Sequence, residues 1–307
     1  MPRPDLDRAV TLHQLRTFRA VVDRLSFSAA AVELHLRQSS VSYQVKELEE
    51  ALDVVLLDRL GKRVVVTEAG RVLYDYARQM LNLLDEAALA IDQLHGLERG
   101  TLRVGGSTTV GIYVLPMALG AFKKQHPAIA ISLEIGSREA LQAKLLGDEL
   151  DIAVMAPPVL DPELDFEPLM DDELVMVVPA GHPLSRRRGL RLQDFAGESF
   201  LMREAASDTR RCVEELARNE GVDLQVGMEL GSNGAIKHAV EGGLGVAVLS
   251  RHAVALERSA HSLVVVDVKG FPIRRKWGYV LLRRRHMPSV LREFVEFLPD
   301  LAWLRPD

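Results

Sequence analysis

Two groups of residues in this 307-residue chain have the types and spacing for chemistry, and both point to binding. The first is Gln38, Ser39, Ser42, Tyr43 and Lys46. No acid interrupts the stretch from Arg37 to Lys46, and Arg59, Lys62 and Arg63 follow closely. Short hydroxyls let a helix backbone approach a partner closely, and the cations suit phosphate. The second group is four junctions rich in hydroxyls: Ser107-Thr108-Thr109, Ser137, Ser207-Asp208-Thr209 and Ser232-Asn233. Arg203 and Arg210 bracket the third. Taken singly, each junction is explained by helix capping. Meeting at one cleft, the four would offer orphan N–H groups and hydroxyls to a small anion, with added positive charge.

Catalytic patterns are missing from the sequence. GGLGVA, Gly242 to Ala247, precedes an apolar run instead of following one, so it fails as a dinucleotide-binding turn. There is no Gly-x-Ser-x-Gly, no phosphate-binding loop and no Cys/His spacing for zinc. His35, His126 and His182 fall at helix ends or turns. The expectation is a protein without catalytic residues, metal or cofactor. Cys212 is the sole cysteine, which excludes an internal disulfide and points to a reducing compartment. The start MPRPDLDRAV has no apolar core of a secretory signal, and no apolar run approaches the roughly 18 residues of a membrane span. A cytoplasmic location with no membrane partner follows as an expectation. The net charge of −5 does not announce nucleic acid. Placement does more than the total, because Glu47, Glu49, Glu50 and Asp53 all come after the Arg37–Lys46 stretch.

The elements that must carry the first group are helices. TLHQLRTFRAVVDRL places Leu15, Phe18, Val22 and Leu25 on one face, and a second helix follows with Ser28 as its cap. A third begins near Gln38 with Val41, Val45, Leu48 and Leu52 inward, leaving Ser39, Tyr43 and Lys46 outward and Ser42 on the flank. So short a junction describes a helix-turn-helix whose second helix can enter a major groove. Gly61-Lys62-Arg63 reads as a turn and Val64 to Val66 as a strand, giving either a basic wing or an ordinary surface hairpin.

Thr67 is placed to cap a long helix reaching about Leu94, where Leu73, Tyr76, Met80, Leu83, Ala87, Ala90 and Leu94 recur in steps of three and four. That seam suits a partner helix, about 40 Å long at 1.5 Å per residue, or the chain's own domain. Its position behind a DNA-binding unit favours self-association, since such units pair to read two half-sites. HGLERG, His95 to Gly100, then reads as a hinge. From Thr101 strand-like and helical runs alternate, predicting α/β architecture with largely parallel sheets. Crossovers near Leu169–Asp172 and Gly270–Arg275 would divide it into two lobes, a clamshell with ligand space beyond the strand ends.

Residues 26–70 resemble the DNA-binding domain of LysR-type transcriptional regulators. The resemblance runs without gaps through Ser26-Phe27, Ala30-Ala31, Leu34-His35, Gln38-Ser39, Val41-Ser42, Gln44-Val45, Leu48-Glu49-Glu50, Leu52, Arg59 and Thr67-Glu68-Ala69-Gly70. Arg37, Tyr43 and Leu57 depart from the usual Ser/Thr, Arg and Phe. The stretch Gly106 to Pro116, with Arg203-Glu204 and Thr209-Arg210, is similar to the branch regulating carbon-fixation or sulfur-assimilation genes. There Ala206-Ser207-Asp208 stands in place of Gly-Ser-Gly and brings a negative charge to an anion pocket.

The resemblance implies an N-terminal all-α winged helix-turn-helix with a long linker helix, then a C-terminal two-lobed, periplasmic-binding-protein-like α/β domain. The expected bounds are 1–66 for DNA binding, 67–95 for the linker and 96–307 for the effector domain. Its first lobe would be 101–172 with 271–307, and its second 173–270. DNA would meet Gln38, Ser39, Ser42, Tyr43, Lys46, Lys62 and Arg63. The effector would meet Ser107, Thr108, Thr109, Ser137, Arg203, Ser207, Thr209 and Ser232, and Leu73, Tyr76, Met80, Leu83 and Ala87 would form the dimer seam. Expected partners are double-stranded DNA, a small-molecule effector and further copies as dimer or tetramer, with RNA polymerase as a candidate. A two-lobed solute-binding protein or a catalytic version of the same fold are the rival readings. The former needs export, which an N-terminal helix-turn-helix argues against.

Overall fold

The computed structural model describes residues 10–60, 63–94, 100–283 and 287–299. The chain forms two units, residues 1–97 and 98–307, which are taken in turn.

In the first unit α1 (Leu12–Arg24) starts at a reciprocal cap. Thr11 accepts from the Gln14 N–H at 3.2 Å, and the Gln14 side chain accepts from the Thr11 N–H at 2.8 Å. Leu25, expected inside, is exposed: it adopts φ 45° to end the helix, and Val21 fills the core instead. Helix α2 (Phe27–Glu33) is capped by Ser26, not Ser28. The buried Phe27 must already be helical to reach the core, which moves the start forward. Helix α3 (Gln38–Leu52) begins at Gln38 as expected, and Arg37 supplies no side-chain cap. Phe18, Val21, Ala30, Val41, Val45 and Leu48 are buried together.

Strands β1 (Leu57–Leu60) and β2 (Arg63–Val66) pair antiparallel, Leu57 opposite Val66. One Glu49 carboxylate oxygen accepts from the Leu56 and Leu57 N–H groups at 2.8 and 3.1 Å, tying this hairpin to α3. Thr67 caps α4 (Glu68–Leu94) by accepting from the Gly70 N–H at 3.0 Å. Leu73, Tyr74 and Ala77 of α4 pack on the first unit's core, and the Tyr74 hydroxyl donates to Asp23 of α1. The long helix is therefore partly a core helix of this unit.

The second unit is built on a seven-stranded sheet. Strand β3 (Gly100–Ser107) lies between β4 (Ile129–Gly136) and β5 (Ile152–Met155), parallel to both. Two long strands, β6 (Leu164–Pro179) and β11 (Ile273–Leu282), pair antiparallel along most of their length. β11 adds to β5, while β9 (Ala247–Ser250) and β10 (Leu263–Val265) add antiparallel to β6. The parallel pair β7 (Phe200–Arg203) and β8 (Val226–Leu230) joins this second half through Leu201 N–H to the Val246 carbonyl, 2.9 Å. The sheet is thus mixed rather than largely parallel. The chain leaves one half along β6 and returns along β11, which forces an antiparallel centre.

Helices α5 (Thr108–Tyr113), α6 (Leu115–Gln125) and α7 (Arg138–Leu146) cover the first half, with α11 (Ser289–Phe297) returning to it. Its core joins Leu102, Val104, Leu115, Phe122, Trp277 and Phe294. Helices α8 (Asp208–Glu220), α9 (Asn233–Glu241) and α10 (Ala255–Ser259) belong to the second half, where Leu174, Phe195, Phe200, Val213 and Val246 are buried. Separate cores on either side of the β6/β11 pair make two lobes.

Candidate functional site

The four hydroxyl junctions all fall at the starts of helices, with Ser107, Ser137, Ser207 and Ser232 as the capping residues. Their side chains divide sharply. Ser137 accepts from the Ala140 N–H at 3.2 Å and Ser232 from the Ala235 N–H at 3.1 Å, which is ordinary capping. Ser107 and Ser207 make no side-chain cap bond. The first turn from β3 into α5 is held by close backbone approach. A Cβ at Gly106 would meet the Gly111 Cα at 2.7 Å, so neither strand nor helix could sit where it does with a side chain there.

A cleft between the lobes, about 480 Å³ including its open mouth, is lined by Ser107, Thr108, Thr109, Ser137, Ser207 and Thr209. Ser232 is not in the lining; its hydroxyl is committed to its cap. Its neighbour Asn233 is buried behind the lining, donating to Thr109 at 3.4 Å and accepting from Arg203 at 2.9 Å. Arg203 lines the cleft as expected, but its charge is engaged. Nε and Nη2 fork onto Glu204 at 2.7 Å each, and Nη1 takes Asn233. Burial acts to raise the Glu204 carboxyl, yet the Arg203 fork and a backbone bond outweigh it and leave Glu204 below its usual range. Arg210 is absent from the lining and pairs with Glu214 and Glu229 instead.

Two cleft cations escaped sequence reasoning. Arg138 opens α7 and reaches Asp208 in the other lobe at 2.9 Å. A cation in the first turn opposes the helix dipole, and that mismatch was the available signal. Arg275, on β11, donates to Asp172 on β6 at 2.7 Å and to Thr209 at 3.2 Å, with its guanidinium carbon 5.4 Å from the centre of the Trp277 ring. Burial pushes the Cys212 thiol up, which works against thiolate chemistry. Among the described residues no group of three His, Cys, Asp or Glu side chains could hold a metal.

In the first unit, Gln38, Ser39, Tyr43 and Lys46 are exposed on α3 and Ser42 is half-buried on its flank. Lys46 pairs with Glu50 at 3.3 Å, and a hydrogen bond to Glu47 raises the Tyr43 phenol. Arg63 is exposed on β2, and Lys62 lies outside the described residues. Along α4, Tyr76, Met80, Leu83 and Ala87 are exposed, joined by Val72, Leu84 and Ile91. Leu73 is not on this stripe, because it turns inward onto the unit's own core. The side chains of Ala90 and Leu94, and residues 95–99 of the expected hinge, lie outside the described residues. No helix among the described residues is long and apolar enough to cross a membrane.

Residues 12–71 match the bacterial regulatory helix-turn-helix proteins of the lysR family, and residues 95–303 match the LysR substrate binding domain. A RuBisCO operon transcriptional regulator of Allochromatium vinosum is 39% identical over 94% of this chain and 95% of its own. The regulatory domain of CcmR from Synechocystis PCC6803, solved in complex with 2-PG, is 32% identical with a TM-score of 0.62. That similarity covers 66% of this chain and 97% of CcmR's domain. Full-length CbnR complexed with its target DNA shares the fold at a TM-score of 0.71 and 21% identity, over 95% of this chain and 100% of its own.

Proposed function

The chain belongs to the LysR family of bacterial transcriptional regulators, and we propose that its effector is a small anion carrying phosphate or carboxylate groups. The carrying observation is the cleft lining. Hydroxyls of Ser107 and Ser207 that serve no cap face the same space as Thr108, Thr109, Thr209, Arg138 and Arg275. A neutral apolar ligand would leave such donors unpaired on burial, at about 1–3 kcal/mol each. The 2-PG complex of CcmR supports the same class, and 2-phosphoglycolate is the first compound to try.

On this reading the anion docks at Ser107, Thr108, Thr109, Ser137, Ser207 and Thr209, and bridging the two lobes changes how the regulator acts on its promoter. DNA is contacted by Gln38, Ser39, Ser42, Tyr43 and Lys46 from α3, with Arg63 and Lys62 on the flank. Tyr76, Met80, Leu83 and Ala87 form the seam between copies. The protein works in the cytoplasm, without turnover and without a cofactor. A thermal-shift screen of the full chain against phosphate esters, carboxylates and sulfur oxyanions tests the effector class. A ligand at a hundred times its Kd stabilises by about 2.7 kcal/mol, enough to raise the melting temperature by about 5 °C or more. Stabilisation by uncharged aromatic compounds alone would contradict it.

A further inference from the structure

We propose that Asp208 is a tethered competitor for the effector. Its carboxylate holds the guanidinium that an incoming anion needs, and this contest sets the affinity of the cleft. The inference rests on the reading of the cleft as an anion site.

The geometry sets Asp208 apart from the other carboxylate in the lining. Glu204 is held by Arg203, its own neighbour in sequence, and stays within its lobe. Asp208 opens α8 in the second lobe but accepts from Arg138 of the first lobe, Nη1 to Oδ1 at 2.9 Å. The same oxygen accepts from Arg211 Nη2 at 2.9 Å. Both guanidiniums also donate to the Pro157 carbonyl, at 3.4 and 3.3 Å, so the carboxylate is gripped from both sides. The Asp208 and Arg138 side chains are only 13% and 18% exposed, which limits screening by water and salt.

The three cleft guanidiniums are not equally available. Arg203 is forked onto Glu204 and Asn233, and Arg275 is fixed by Asp172 and Thr209. Arg138 gives Nη2 to the exposed Glu139 at 2.8 Å, but alone of the three it is also held across the cleft by an acid that itself lines the cleft. An anion arriving at Arg138 meets a carboxylate already within hydrogen-bond distance of the same cation. Like charges at that range repel by several-fold in affinity, so the ligand must displace Asp208 to bind. Binding then exchanges a bridge made by the protein for one made by the effector.

The test is calorimetry of the full chain with 2-phosphoglycolate, comparing wild type with Asp208→Asn and Asp208→Glu. Asparagine keeps the size and removes the charge, and should bind at least tenfold tighter. Glutamate keeps the charge, and should stay within about threefold of wild type. Equal affinity for wild type and Asp208→Asn would overturn the competitor while leaving the anion site standing. Weaker binding by Asp208→Asn would also overturn it, making Asp208 a direct partner of the effector. Failure of all three proteins to bind any anion would remove the anion reading, and this inference with it. If Asp208→Asn melts early, Arg211→Gln serves instead. Releasing Asp208 from its second partner leaves Arg138 as its sole charged grip, so anion binding should weaken, and unchanged affinity would count against the proposal.

Discussion

Arg275 Nε donates to Asp172 Oδ2 at 2.7 Å, joining β11 to β6 at facing positions of the two strands that run between the lobes. The other Asp172 oxygen accepts from Ser250 at 2.6 Å, and the Asp172 side chain is fully buried. Removing one member of such a pair strands a charge in the interior, at about 3–5 kcal/mol. Asp172→Leu should lower the denaturant midpoint accordingly. The double replacement with Arg275→Leu should cost less than Asp172→Leu alone. Unfolding curves of the single and double variants check this, and additive losses would show that the two side chains do not act as a pair.

His252 gives the second lobe a pH dependence. Its ring lies 5.4 Å from that of Trp277, and its buried Nε2 finds no partner among the described residues. Burial lowers its pKa below the ordinary 6.5; Asp172 acts to raise it and Arg275 to lower it. The unfolded chain therefore takes up this proton more readily than the folded one. Stability is fully present above about pH 6.5 and is lost as the pH falls below it toward the depressed folded value. His252→Phe should flatten this part of the curve, measured as melting temperatures at about pH 7.5 and about pH 5. An unchanged pH profile would place the titration elsewhere.

On the DNA side, Lys46→Ala with Arg63→Ala should weaken binding on all sequences. Each lost phosphate contact removes about one unit from the slope of log affinity against log salt, so the pair should remove about two. Tyr43→Ala should alter sequence preference as well, since the ring lies exposed among the outward residues of α3. Fluorescence anisotropy across a salt series reads both effects. An unchanged slope would take Lys46 and the β2 strand off the DNA.

For self-association, Leu83 is 64% exposed in the α4 stripe. Leu83→Asp would place an unpaired charge in an apolar seam, at several kcal/mol. Sedimentation should show smaller species while the effector domain stays folded. The same change at Leu73 should instead destabilise the first unit, because Leu73 packs on its core.

Much of this was legible in sequence because it depends on local pattern. Val41, Val45 and Leu48 fix which face of α3 is buried, and so which face carries Ser39, Tyr43 and Lys46. The junctions at Ser107, Ser137, Ser207 and Ser232 marked helix starts correctly, because capping is a local preference. What local pattern could not supply was partnership. Ser232 and Ser107 look alike in sequence, yet one hydroxyl is committed to a cap and the other is not. Asp172 and Arg275 meet only because β6 and β11 pair, and no short-range rule joins positions so far apart. Leu73 and Tyr76 both fit the seam's spacing, but the first unit's core claims Leu73 and leaves Tyr76 outside.

The most direct test of the central claim is a calorimetric titration of the full chain with 2-phosphoglycolate, in wild type and in Thr109→Val. Thr109 is 6% exposed, lines the cleft, and accepts from Asn233 at 3.4 Å. Valine keeps the volume and removes the hydroxyl. Saturable binding to wild type, weakened about tenfold by Thr109→Val, is the predicted result, the loss of one hydrogen bond to a charged group. No binding of 2-phosphoglycolate or any other anion, with tight binding of an uncharged aromatic compound indifferent to Thr109→Val, would contradict it.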